Sequence, residues 1–214
     1  DAGNYTVVQP TGVRANITPA SLTVTGVGAN NKVYDTTTAA TLNGTAGVAA
    51  LGGDVVTVGG MGSGTFANKN VGNAKAVTVT GYTLGGADAG NYTVVQPTGL
   101  AANITPASLT VTGVGANNKV YDTTTTATLN GTASVAALAG DVVTLGGTGS
   151  GTFANKNVGN GKAVTVTGYT LGGADAGNYT VVQPTAVTAN ITPASLTVTG
   201  VGAFVESFSR FGLS

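Results

Sequence analysis

The chain has 214 residues, of which 42% are hydrophobic and only 7% charged, with acidic and basic side chains in balance. It has no cysteine and no histidine, which excludes disulfide staples and thiolate metal sites and removes the commonest general base. A sparsely charged, neutral surface gives no field that would hold nucleic acid, and no apolar run reaches the roughly 18 residues that membrane insertion takes.

The chain opens with DAGNYTVV, which returns at Asp88 and at Asp175, a period of 87 residues. Residues 1–87 and 88–174 differ at eight positions, most of them exchanges between residues of similar size. ITPASLTVTG recurs at Ile17, Ile104 and Ile191, and its proline reads as a junction. The expected organisation follows from that phase: terminal strands of a preceding repeat at 1–17, complete repeats at 18–104 and 105–191, the first strand of a following repeat at 192–203, and a non-repeat tail at 204–214.

In chain order, SLTVTG alternates Leu22 and Val24 with Ser21, Thr23 and Thr25, the period of a half-buried strand. KVYDTTT and ATLNG read as further strands, with a turn at Asn43-Gly44. GTAGVAALGG has the alanine content for one short helical turn. DVVTVGG and KAVTVTG read as strands, Val77 and Val79 alternating with threonines, with turns at Gly52-Gly53, Gly59-Gly60 and Gly85-Gly86. DAGNY then predicts a tyrosine corner: a turn at Asp88 and Asp175, a buried Tyr92 or Tyr179, and a hydroxyl bonded to backbone. NYTVVQP and GLAANIT close the repeat, and Pro106 restricts Thr105 to extended geometry. Strands at this spacing with glycine-rich turns predict an all-β fold of tandem immunoglobulin-like β-sandwich repeats; a β-grasp-like repeat with one short helix is the alternative. The direct junction predicts a stiff end-to-end rod whose neighbouring repeats are one another's partners.

NNKVYDTTT, FANKNVGNAKAVTVTGYTLGGADAGNYTV and ANITPA resemble the YDG-type repeats of very large bacterial secreted adhesins, which are similar to filamentous haemagglutinin and leave by two-partner secretion. The resemblance runs from residue 1 to 203 and implies an extracellular or cell-surface repeat without catalytic residues. One departure is that Tyr-Asp-Gly is here Tyr34-Asp35-Thr36 and Tyr121-Asp122-Thr123, so a turn needing the positive φ of glycine is expected to be built differently.

Chemistry in the repeat is sparse. Asp35, Asp54 and Asp88, and their copies Asp122, Asp141 and Asp175, are expected as turn caps rather than paired catalytic carboxylates. Asp88 and Asn91 are the candidate oxygen ligands for Ca²⁺, although no EF-hand or nonapeptide calcium pattern is present, and folding is expected to need no metal or cofactor. GGMGSGTF lacks the helix that a dinucleotide loop requires. Lys69 and Lys75 stand among Asn68, Asn70 and Asn73, a composition suited to isopeptide crosslinking but without a glutamate to assist it, so solvated lysines and turn asparagines are expected. Asn43 and Asn130 are the candidate glycosylation acceptors, each followed by Gly-Thr.

The function expected from these features is a structural stalk or spacer in a bacterial adhesin, with no enzymatic activity. The alternative is a binding module for glycan or a host or matrix protein. The repeat pattern breaks after Ala203, where FVESFSRFGLS replaces the expected NNKVYD. Phe204, Phe208 and Phe211 can form one apolar face there, and a truncated or frame-shifted reading is the simpler explanation. Tyr5–Ile17 and Leu196–Val201 are expected to pack on complete repeats or to stay disordered.

Overall fold

The computed structural model describes residues 1–202; the apolar face expected of Phe204, Phe208 and Phe211 lies outside the described residues. The fold is all-β. The only helical pieces among the described residues are 3-10 turns at Ala2–Asn4, Ala89–Asn91 and Ala176–Asn178. Two compact units form. The first takes Asp1–Ser108 together with Ala137–Val143 and Gly173–Thr180; the second takes Leu109–Ala136, Thr144–Gly172 and the described residues from Val181 onward. The first unit therefore incorporates two segments of the second sequence repeat.

The first unit contains β1 (Ala20–Thr23), β2 (Thr25–Ala29), β3 (Lys32–Val33), β4 (Ala39–Ala40), β5 (Leu42–Gly47), β6 (Thr57–Phe66), β7 (Gly72–Gly85), β8 (Tyr92–Val95) and β9 (Ala101–Thr105). Five of them form one sheet in the order β3-β9-β7-β6-β4, with β3 parallel to β9 and the other neighbours antiparallel. β1 runs parallel to β8, while β2 pairs antiparallel with β5. SLTVTG is thus shared between two sheets: it changes partner at Val24, which is 1% exposed and whose N–H still bonds Val95 O. The alternation in KAVTVTG buries Val77 and Val79 and exposes Thr78 and Thr80 along β7. Phe66, Ala40 and Ile104 are buried in the same unit.

The chain continues as β10 (Ala107–Thr110), β11 (Thr112–Ala116), β12 (Lys119–Val120), β13 (Thr126–Ala127), β14 (Leu129–Ser134), β15 (Thr144–Phe153), β16 (Gly159–Gly172), β17 (Tyr179–Val182) and β18 (Thr188–Thr192). The second unit has the five-stranded order β12-β18-β16-β15-β13 and the pair β11-β14. Its core gathers Ala127, Phe153, Val164, Val166, Val187, Ala189 and Ile191.

Three local expectations need correction. GTAGVAALGG forms no helical turn: it is the end of β5, then chain without regular structure, then a turn closed by Asp54 N on Leu51 O. Asn43-Gly44 and Gly59-Gly60 are not turns but lie inside β5 and β6, where the ladder shifts register. In β5, Gly44 has φ +81° and faces Gly26 at φ +79°. A Cβ on Gly44 would lie 2.1 Å from Gly26 O, so only a glycine pair lets the two backbones approach. The composition that makes a tight hairpin turn also makes a bulge, and a glycine doublet alone does not distinguish them.

The third concerns Tyr34-Asp35-Thr36. Its turn is not built differently: Thr36 itself takes φ +69°, and Thr123 takes φ +71°. A β-branched residue in the left-handed region is strained. Asp35 Oδ1 compensates by accepting from Thr37 N and Oγ1 and from Lys32 Nζ, all within 2.9 Å. Lys119, Asp122 and Thr124 repeat the arrangement, and the Lys119 bond, with those from Thr124, lowers the Asp122 carboxyl to about 2. Thr36→Gly and Thr123→Gly should each stabilise the fold by about 0.5–1 kcal/mol, the relief of strain less the greater chain entropy of glycine. Thermal melts check this, and an unchanged or lowered midpoint counts against it.

The terminal segments carry no strand. Tyr5 and Val8 are 82% and 87% exposed, and Leu196 and Val198 are 96% and 80% exposed, so neither stretch packs on a unit.

Candidate functional site: the Asp141 cluster

Asp141 follows the turn that precedes β15 and belongs to the first compact unit. Expected as a turn cap, its side chain is instead fully enclosed, at 0% exposure. Oδ1 accepts from Lys69 Nζ at 2.7 Å. Oδ2 accepts from the hydroxyls of Tyr34 and Tyr179, both at 2.7 Å. A carboxylate taken from water needs such partners, and three donors supply them.

Each donor is positioned by its own element. Tyr34 directly follows β3, and its N–H bonds Thr105 O at the end of β9. Its ring stands edge-on to that of Tyr179, centroids 5.5 Å apart and planes at 77°, a favourable aromatic geometry. Lys69, expected as a solvated side chain, lies 5.8 Å over the Tyr34 ring and 3.9 Å from Asp175 Oδ1. Beside it, Val71 N donates to Asn178 Oδ1 at 3.0 Å, and Asn178 Nδ2 reaches Asn70 Oδ1 at 3.4 Å. Asn178 is itself buried, at 6% exposure.

The residues singled out in the sequence take definite places. Tyr179 and Tyr92 are 8% and 9% exposed. Their hydroxyls accept from the backbone N–H of Leu138 and Leu51, each at 3.1 Å, and donate to a carboxylate: Asp141 for Tyr179, Asp54 for Tyr92. Asp88 and Asp175 each precede a 3-10 turn and accept from Val55 N and Val142 N, at 2.8 Å. Pro106 stands between β9 and β10. Asn43 and Asn130 lie on β5 and β14, and their amide nitrogens donate to Asn30 Oδ1 and Asn117 Oδ1. Lys75 donates to Asn68 Oδ1 at 2.6 Å, and among the described residues no carboxylate is bonded to either. No group of three acidic side chains suited to a metal ion exists among the described residues.

The electrostatics follow from this geometry. The Lys69 bond, then the Tyr34 hydroxyl, hold the Asp141 carboxyl down to about 2, and Asp141 in turn raises Lys69. Burial first, then the carboxylate, raise the Tyr34 and Tyr179 phenols. A carboxyl whose folded value lies below its ordinary value near 3.9 adds stability above about pH 4 that disappears as pH falls toward 2. Asp141→Asn should therefore lower the melting temperature at pH 7 and flatten its decline between pH 4 and 2. Melts across that range decide the point; parallel curves for variant and parent would count against it. The arrangement is a charge-assisted lock, with no open face at which a substrate could meet the carboxylate.

The family model of the YDG domain matches residues 18–99 and again 105–189. No curated protein and no solved structure matches the chain.

Proposed function

Since the chain belongs to the YDG domain family, carried here in two tandem copies, we propose that it is a structural stalk or spacer segment of a bacterial cell-surface or secreted adhesin. In this reading it projects a binding region away from the cell, and its parent protein is of the filamentous haemagglutinin kind exported by two-partner secretion. One observation carries the proposal. Lys69 and Tyr34 of the first repeat are bonded to Asp141, on a loop of the second repeat that the first unit incorporates. Successive copies held by charge-assisted bonds suit a spacer, whose task is to transmit position. The aromatic residues support the same reading. Tyr34, Phe66 and Tyr92 are at most 9% exposed and Tyr82 is half-buried, so the first repeat lays none of these rings fully open as a stacking platform for a sugar.

The competing reading, that the repeats themselves hold a glycan or a matrix protein, is tested by presenting the purified chain to glycan and matrix-protein arrays. No saturable binding is expected. Saturable binding to one class of sugar or protein would overturn the spacer reading.

A further inference from the structure

Three asparagines in the chain are followed by glycine: Asn43, Asn130 and Asn160. In such a pair the glycine nitrogen can attack the asparagine side-chain amide, because no Cβ obstructs the approach and the backbone rotates freely. The fold treats the three differently. Asn43 and Asn130 lie inside β5 and β14, and their amide nitrogens donate to Asn30 Oδ1 and Asn117 Oδ1. The glycines after them are clamped: a Cβ on Gly44 or Gly131 would overlap Gly26 O or Gly113 O. A backbone held that closely cannot swing its nitrogen onto the preceding side chain.

Asn160-Gly161 stands at the bulge of β16, where the ladder to β18 shifts register between Gly159 and Lys162. Both residues are exposed, Gly161 has φ +57°, and nothing lies within 4 Å of where its Cβ would be. Nearby hydrogen bonds run from Gly161 N to Asn190 Oδ1 and from Lys162 Nζ to Asn155 Oδ1, and among the described residues none engages the Asn160 amide. The counterpart in the first repeat is Asn73-Ala74, also exposed although a whole repeat follows it, so the position is open in both copies. We propose that Asn160 is a site of spontaneous modification, its amide converted to a carboxylate through a cyclic imide. Gly161 N loses its proton to water and bonds Asn160 Cγ, and ammonia leaves. Water then opens the ring at either carbonyl, giving aspartate or, with the main chain rerouted through the side chain, isoaspartate. The bond to Asn190 restrains the attacking nitrogen and makes Asn190 the brake on the reaction. Either product places a negative charge two residues from Lys162. Isoaspartate also lengthens the main chain at a bulge that already carries an extra residue, which loosens β16 against β18. The modification does not depend on the spacer reading, because it follows from the local chain whatever the parent protein does.

Ageing the full chain in mildly alkaline buffer tests it, with peptide mapping by mass spectrometry and isoaspartate labelled by a carboxyl methyltransferase. Asn160 should lose its amide at least about tenfold faster than Asn43, Asn130 or Asn73, and both products should form. Gly161→Ala should slow the loss to the rate at Asn73; the first repeat already holds alanine at that place, so the variant keeps the fold. Asn190→Ala should raise the rate at Asn160 severalfold and leave Asn73 unchanged, because Ala74 N is held by Asn103 instead. An Asn160 that keeps its amide throughout, loss at Asn43 or Asn130 that keeps pace with it, or a Gly161→Ala chain that ages as the parent does, overturns the proposal. An Asn190→Ala chain with an unchanged rate at Asn160 overturns the brake.

Discussion

Phe153→Ala should destabilise the second unit by about 3–5 kcal/mol, the usual cost of truncating an enclosed aromatic ring. Phe153 is 1% exposed at the end of β15, packed among Val164, Val166 and Ile191. Its ring also lies 5.5 Å beneath Lys119 Nζ, the ammonium that closes the Asp122 turn, so truncation loosens that turn as well. A unit of this size has about 5–15 kcal/mol of stability in all, and the substitution removes a large share of it. With a urea slope of about 2 kcal/mol/M, the associated transition should move about 1.5–2.5 M lower. A shift smaller than about 0.5 M would show that the cavity collapses and that this core is less rigid than its packing indicates.

Gly44→Ala should cost on the order of 3 kcal/mol, from adding a single methyl group. The left-handed φ accounts for about 1–2 kcal/mol. The remainder comes from the Cβ overlapping Gly26 O at 2.1 Å, a contact with backbone that no side-chain rotation can relieve. The bulge between β2 and β5 would have to open. Gly131→Ala provides an independent replicate, since its Cβ would lie 2.2 Å from Gly113 O at the same register shift. Denaturant titration of both variants should give losses of similar size. A control at Gly90, around which nothing lies within 4 Å, should cost well under 1 kcal/mol when changed to alanine.

What was legible in the sequence was whatever repeats over short distances. The alternation at Val77 and Val79 and at Leu22 identified buried faces, because a strand turns successive side chains to opposite sides. DAGNY identified a turn because that part of the motif is local; burial of its tyrosine depends on the rest of the repeat, since Tyr92 is 9% exposed and Tyr5, in the same motif, 82%. Bulges were harder to see. Asn43-Gly44 supplies a left-handed backbone that a turn and a bulge both require, and the choice depends on what lies opposite, here Gly26. The Asp141 cluster was out of reach altogether. Tyr34 and Asp141 are 107 residues apart, and Lys69 and Asp141 are 72 apart. No spacing rule links them, and taken singly Asp141 reads as a turn cap and Lys69 as a solvated side chain. A usable signal was still present: an aspartate and a lysine in a chain with few charges are each more informative than in an ordinary surface.

The first unit draws Ala137–Val143 and Gly173–Thr180 from beyond its own repeat, and this imposes an order on synthesis. A nascent chain whose first 108 residues have emerged still lacks the loops that enclose Tyr34 and supply Asp141. At ~5–20 residues per second, the ribosome needs roughly 4–14 s more to deliver residue 180. During that interval the Tyr34 and Lys69 side chains wait in water, and the unit stays open to chaperones or proteases. In a tandem array each copy would be finished by its successor, so maturation would follow the growing end one repeat behind.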